Sequence, residues 1–319
     1  MWRQVKELIQ NKKEILLVTH QNPDGDGIGS CSALIELLNL LGKQGCLLTE
    51  EPIPAKFNFL NFRDAFYSLD GKIPERTPEA IFILDTHEEK RLGKVYQWIE
   101  AFPKVPIICI DHHCFTDSIA DIQIIDEKAC CCGSMVYTFF KELGIPLTLN
   151  AAKGIYTSVM CDTGRFSHSS TCRKTHKIAD ECIKIGVDPH YIYSEVYQQV
   201  SLKHIQYFMH SLERMEMYYS NRVVIQEISS EDCKKLGDDF DDLEFMHEFH
   251  KRIDVVEFVI LLKEIELNKI RVSMRTKSNV DLTLIMHLFG GGGHPKAAGA
   301  TINGGLEEVK QKLLKELEN

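Results

Sequence analysis

Long apolar runs are missing from this 319-residue chain, and no segment is apolar enough to cross a bilayer. The opening MWRQVKELIQNKKE lacks the apolar centre of an export signal, so a cytoplasmic location and no membrane partner are expected. Excess positive charge is missing too. Against 46 Asp and Glu stand 37 Lys and Arg, a net charge of −9, which argues against an extended basic track for long nucleic acid. A short anionic substrate remains open if metal ions supply the positive charge. A disulfide framework is also not expected: the eleven cysteines are an odd number, and Cys130, Cys131 and Cys132 are consecutive. In a chain of this size they read as reduced thiols that serve packing. No internal repeat or low-complexity tract interrupts the chain.

What is present is an ordinary globular composition, 44% apolar and 26% charged, in a chain long enough for two cores. The first half alternates short apolar runs with helical patterns. ILLVTH (15–20) precedes a helix around 27–42, and AIFILD (80–85) precedes one around 91–100. IICID (107–111) and IQII (122–125) follow, then a helix through MVYTFFKELG. This alternation predicts an α/β domain with a mostly parallel sheet covered on both faces. From about 150 to 215 the pattern is helical, with Asn150, Ser201 and the turn GVDPH as boundaries. Beyond it, VVIQEIS, VVEFVILLKEI and KIRVSMRT read as strands, the acidic GDDFDDLEF precedes a helix, and VDLTLIMHLF is a helix stopped by four glycines. The expected domains are 1–186, α/β with the candidate site; 187–218, a helical linker; and 219–319, a smaller α+β domain.

Three apolar runs end in a potential ligand: His20, Asp85 and Asp111. In parallel sheets, functional groups gather beyond the carboxyl ends of strands. The candidates are His20, Asp24 and Asp26 in HQNPDGD, Asp85 in ILDTHEE, Asp111, His112 and His113 in IDHHC, and Asp162 in MCDTGRF. Each has a plain alternative. Asn-Pro-Asp-Gly-Asp-Gly is good turn sequence, Asp85 could cap a helix, a His pair is often structural, and Asp162 could close a turn. Four such places in one half of the chain favour a shared site. Imidazole with carboxylate suits Mn²⁺, Mg²⁺ or a related ion better than structural zinc. Gathered carboxylates repel, and two cations about 3.5–4 Å apart would neutralise them, as in two-metal phosphoester hydrolysis.

In order and separation, these motifs resemble those of the DHH-family phosphoesterases. GGGGHPKAAGATI (290–302) resembles the signature of the C-terminal domain associated with one branch of that family. The subgroup most similar is the bifunctional oligoribonucleases, or nanoRNases, which also dephosphorylate pAp (3′-phosphoadenosine 5′-phosphate). The resemblance implies one ion on His20, Asp24 and Asp85, and a second on Asp26, Asp85, His112 and Asp162, with Asp85 bridging. Mn²⁺ is the expected metal, with Mg²⁺ or another divalent ion open. Asp111 would orient a ligand histidine and His113 would face the substrate phosphate. The cysteines at 114 and 130–132 depart from the family pattern without touching the ligands.

The GGGGH run lacks the Lys-Ser/Thr of a phosphate loop, so it reads either as a helix stop and flexible turn or as a backbone nest for an anion. In the second case Gly291, Gly292 and Gly293 approach a phosphate or terminal nucleotide that His294 and Arg275 grip. Arg165 is a candidate for the same task, beside the plain reading of a solvated arginine. The expected partners are short RNA oligonucleotides, pAp or related nucleotides, and homodimer formation is left open. Two alternatives keep the fold: hydrolysis of linear or cyclic signalling dinucleotides or pyrophosphate, and RNA binding without catalysis.

Overall fold

The computed structural model describes residues 2–60, 62, 64–114, 118–236 and 243–318, and the chain divides into two compact units, Met1–Gln199 and Val200–Asn319. Residues 237–242, most of the acidic GDDFDDLEF stretch, lie outside the described residues.

In the first unit, helix α1 (Trp2–Gln10) leads into strand β1 (Glu14–Thr19), helix α2 (Gly25–Leu40) and strands β2 (Gln44–Thr49), β3 (Phe66–Ser68) and β4 (Ala80–Leu84). Helix α3 (Lys94–Ile99), strands β5 (Ile107–Asp111) and β6 (Ile122–Ile125), and helices α4 (Cys132–Leu143), α5 (Leu149–Asp162), α6 (Arg173–Ile185) and α7 (Pro189–Tyr197) follow. The strands form one wholly parallel sheet in the order β3-β2-β1-β4-β5-β6. Alternate residues of β1 enter different apolar clusters, Ile15 and Leu17 on one face, Leu16 and Val18 on the other. Burial on both faces is why the run is apolar throughout rather than alternating.

Several boundaries differ from the sequence expectation. Thr148 caps α5 through a 3.1 Å bond from Ala151 N–H, and Asn150 lies inside the helix. The helix expected over 91–100 is a 3₁₀ turn, Glu89–Leu92, followed by α3, because Gly93 with φ 58° breaks the run between them. Asp188 of GVDPH does start α7.

In the second unit, helix α8 (Leu202–Leu212), capped by Ser201, precedes strands β7 (Glu216–Tyr218) and β8 (Val223–Ile228) and helices α9 (Ser230–Leu236) and α10 (Leu243–Lys251). Strands β9 (Phe258–Glu266) and β10 (Lys269–Thr276), helix α11 (Leu282–His287), strands β11 (Gly292–His294) and β12 (Ala297–Asn303), and helix α12 (Leu306–Glu318) complete it. The mixed sheet runs β11-β12-β10-β9-β8-β7, with β8 and β9 parallel and the other pairs antiparallel. No described helix is long and apolar enough to cross a membrane. The cysteines at 31, 46, 109, 114, 130, 131, 132, 161, 172 and 182 are free thiols.

Candidate metal centre

From β1 the chain steps outward through β2 and β3, then returns to place β4 on the opposite side of β1. Neighbouring connections leave in opposite directions there, opening a crevice at the carboxyl ends of β1 and β4. His20 follows β1, Asp85 follows β4, and Asp111 ends β5 beside them, with His112 and His113 next in the chain. The first turn of α2 brings Asp26, its cap is Asp24, and the last residue of α5 is Asp162.

Three groups of donor atoms lie within 4.8 Å of one another: His20, Asp24 and Asp85; Asp26, His112 and Asp162; and Asp85, Asp111, His112 and His113. Asp85 joins the first two. Its Oδ2 is 3.4 Å from His20 Nε2, and its Oδ1 is 3.4 Å from His112 Nε2. His112 Nε2 also lies 3.4 Å from Asp26 Oδ2 and 3.8 Å from Asp162 Oδ2. Imidazole nitrogens and carboxylate oxygens at such mutual distances, without thiolate, suit hard or borderline divalent cations. The donor set therefore fits the cations implied by the sequence resemblance.

The backbone holds these groups from outside. Asp85 has φ 62°, a left-handed conformation that costs an ordinary residue about 1–3 kcal/mol and marks sites where the surroundings over-determine the chain. It caps no helix: the 3₁₀ turn after it begins from Glu88. Asp24 does serve as a cap, accepting the N–H groups of Asp26 at 2.8 Å and Gly27 at 3.2 Å, so the turn and ligand readings of HQNPDGD are compatible. His20 Nδ1 sits 2.9 Å from the Gln21 carbonyl, which makes Nδ1 the donor and leaves Nε2 toward the carboxylates.

Sequence reasoning missed part of this support. Asp26 accepts the backbone N–H groups of Cys132 at 2.7 Å and Gly133 at 3.1 Å, together with the Ser158 hydroxyl. Gly133 must lack a side chain, because a Cβ there would strike Ser158. Ser158 lies four residues before Asp162 on α5, a spacing that puts both on one helix face. That spacing was the available signal. The buried His87 was also missed; its Nδ1 is 2.5 Å from Asp111 Oδ2. Asp111 Oδ1 takes the N–H groups of His112 at 2.7 Å and His113 at 3.2 Å, and the His113 ring Nδ1 at 2.7 Å. Asp111 thus meets the rings of His113 and His87, and meets His112 through the backbone.

Charge crowding shows in the proton affinities. Burial pushes Asp26 well above the usual carboxylate range and Asp85 adds to it, although His112 opposes. Burial likewise lifts Asp162 to about 7. Burial favours neutral imidazole, yet the carboxylates around His20 carry it to about 10, and those around His112 raise it strongly. Asp85 goes the other way: burial would raise it, but His112 and His20 hold it well below the ordinary value. Without cations, protons balance the cluster.

The remaining predicted residues have surroundings of their own. Arg165 rests on the Tyr197 ring, 4.8 Å from its centroid. Arg275 and His294 are both in register with Ala297, one on each side of β12. Residues directly opposite in antiparallel strands point to one face, so this arginine and histidine share a face, two strand spacings or roughly 10 Å apart, with a small residue between. The first glycine does end the helix: Gly290, at φ 71°, donates its N–H to the His287 carbonyl at 3.1 Å, and Gly291 donates to the Met286 carbonyl at 2.9 Å. Gly292–His294 forms an edge strand, and a Cβ on Gly291 or Gly293 would collide with the backbone of β12.

A parallel α/β unit with buried carboxylates and imidazoles at its switch point, followed by an α+β unit, is the layout of a metal-dependent phosphoesterase. Residues 14–159 match the DHH family, N-terminal domain, and residues 221–319 match the DHHA1 domain; the chain belongs to the DHH family. It is similar to the bifunctional oligoribonuclease and PAP phosphatase NrnA of Thermus thermophilus, 27% identical over 305 residues, covering 94% of this chain and 88% of that protein. The protein of the same name from Bacillus subtilis is also 27% identical, covering 90% of this chain and 89% of the relative. The crystal structure of an exopolyphosphatase-related protein from Bacteroides fragilis shares the fold, with a TM-score of 0.88 at 24% identity, covering 98% and 95% of the two chains.

Proposed function

We propose that this DHH phosphoesterase hydrolyses short oligoribonucleotides to mononucleotides and removes the 3′-phosphate of pAp. One observation carries the two-metal part: the two oxygens of Asp85 face imidazole nitrogens of two different donor groups, each at 3.4 Å. His20, Asp24 and Asp85 would hold one divalent cation, and Asp26, Asp85, His112 and Asp162 a second, with Mn²⁺ the expected metal. Bound there, the cations would supply Lewis acidity toward phosphoryl oxygens and ease deprotonation of water. The chain's own groups do the rest. Asp85 sets the separation of the two sets, and the N–H groups at the start of α4 fix the Asp26 carboxylate. Asp111 orients His113 beside the reacting phosphate. In the second unit, Arg275, His294 and the glycines Gly291, Gly292 and Gly293 are the groups for nucleotide contacts. The substrate class is supported by the likeness to proteins named for those two activities over about 90% of the chain.

The test is purified protein with Mn²⁺ against pAp, RNA of 2 to 24 nucleotides, and linear and cyclic dinucleotides. Mononucleotides from the shortest RNAs and phosphate from pAp are the expected products. Turnover of cyclic dinucleotides alone would replace this substrate assignment.

A further inference from the structure

Arg91 belongs to the 3₁₀ turn Glu89–Leu92 that follows Asp85 and His87. Its carbonyl accepts the Gln21 N–H at 2.7 Å, tying the turn to the loop that carries His20. Its guanidinium Nη1 lies 3.4 Å from His113 Nε2. On the other side of that ring, Nδ1 is 2.7 Å from Asp111 Oδ1 and 3.8 Å from Asp85 Oδ1.

These partners define the ring. An ionised carboxylate only accepts and a guanidinium only donates, so His113 carries its proton on Nδ1 and turns the Nε2 lone pair to Arg91. Its single N–H is then committed to Asp111, and the donor at this edge of the cluster is the arginine. Among the described residues, Arg91 pairs with no carboxylate, although the chain has an excess of them. A long bond to a neutral nitrogen is weak employment for a guanidinium, whose fork of donors matches a phosphoryl group's oxygens.

We propose that Arg91 is a phosphate-binding residue of this centre. Its guanidinium exchanges His113 Nε2 for a non-bridging oxygen of the substrate phosphoryl group, and His113, anchored by Asp111, positions it until then. The ligand class is a phosphate monoester or diester, and the proposal rests on the phosphoesterase reading above.

The experiment measures binding of inorganic phosphate and of AMP to Mn²⁺-loaded protein by calorimetry, with bound metal determined for each variant. Arg91→Ala should weaken both ligands about 10–100-fold, the range for losing a charge-assisted hydrogen bond, at unchanged metal content. Arg91→Lys should recover part of the loss, and Arg91→Gln should behave as Ala. For pAp, KM should rise more than kcat falls, and added guanidinium ion should partly rescue Arg91→Ala. Wild-type affinity for phosphate and AMP in folded Arg91→Ala or Arg91→Gln would overturn the proposal. Should Ala unfold the turn, the Lys–Gln difference decides: equal affinities in those two variants would mean that Arg91 only braces His113. Wild-type protein that binds phosphate through Arg91 but hydrolyses nothing would sink the phosphoesterase reading and leave this one standing.

Discussion

At the carboxyl ends of β1, β4 and β5, buried acids and imidazoles crowd together with more negative charge than they can hold alone. In the second unit, Arg275 and His294 stand half-buried on a sheet face, separated by Ala297 and backed by glycine strands. The first region takes its residues from strand ends and helix ends, and holds Asp24, Asp26 and Asp111 with backbone N–H groups. The second takes them from within strands and places them by register. Change in the first should alter chemistry and metal content together, because each ligand also relieves its neighbours' charge. Change in the second should alter binding alone.

The sharpest way to break that contrast is at Asp85. Exhaustive chelation should abolish turnover, and Mn²⁺ should restore it better than Ca²⁺. Asp85→Asn should lower kcat by about 10³-fold or more, since several kcal/mol of transition-state stabilisation depends on both ions and each ~1.4 kcal/mol is tenfold. No single change in Gly290–His294 should cost as much. Metal analysis beside the rate decides the matter. A two-ion Asp85→Asn enzyme with near-normal turnover would return Asp85 to an ordinary turn residue.

Proton release sharpens the same point. In the metal-free protein Asp162 sits at about 7 after burial, and His20 at about 10 under the carboxylates beside it. At pH 6 both carry protons that a cation must displace; at pH 8 Asp162 is already ionised, while His20 still carries its proton. Metal affinity should therefore fall as pH is lowered from 8 to 6, by about tenfold per unit for each competing proton. Calorimetry in buffers of different ionisation enthalpy should count more protons released at pH 6 than at pH 8. Affinity flat across that range would deny the cluster its coupled charge.

Much of the first region was legible in the sequence because its grammar is local. Apolar runs ending in His20, Asp85 and Asp111 announce strand ends, and strand ends of a parallel sheet share one side. Strands β2 and β3 were not legible: Phe66–Ser68 is only three residues long at the sheet edge, and Gln44–Thr49 opens on Gln and Gly, so it shows no continuous apolar run. The supports of Asp26 were hidden for another reason. Backbone N–H groups at Cys132 and Gly133 carry no residue signature, and only the fold brings them across more than a hundred positions. In the second region, KIRVSMRT matched β10 residue for residue, since a half-buried strand alternates visibly. The glycine run was legible as a helix stop at Gly290 but not as an edge strand, because glycine marks both turns and places where another strand comes too close for a Cβ.

Arg275→Ala and His294→Ala test the second region directly. Each should reduce kcat/KM for pAp and short RNA about 10–100-fold, the worth of a contact to a charged group, while metal content stays unchanged. With a net charge of −9 the chain has few cations to spare for further phosphates, so substrates of about five nucleotides or fewer should be preferred. The salt dependence should report only a few phosphate contacts. Equal efficiency on 2- and 24-nucleotide RNA, or no kinetic effect of either substitution, would remove these residues from substrate binding.

The smallest effect is expected at Cys130, Cys131 and Cys132, beside the main-chain support of Asp26. Asp26 is held there by main-chain N–H groups, which any side chain leaves in place. The thiols themselves do structural tasks. Cys131 Sγ accepts the Ser134 N–H at 3.3 Å as the cap of α4, and Cys132 Sγ donates to the Ile110 carbonyl at 3.2 Å. Burial drives Cys131 and Cys132 strongly toward the neutral thiol. Cys130 is the exception: its bond with Cys131 brings it down to about 6 despite burial, so it is the one whose charge a ligand role would use. Replacing all three by Ala should cost about 1–3 kcal/mol of stability through lost packing and the lost cap, and Ser should keep the cap. Metal content and turnover should stay within about threefold of the parent, as for a change that leaves the transition-state contacts alone. Melting curves, metal analysis and pAp turnover on the folded triple variants check this. Loss of metal in a folded Cys130→Ala protein would give that thiolate a place in the centre.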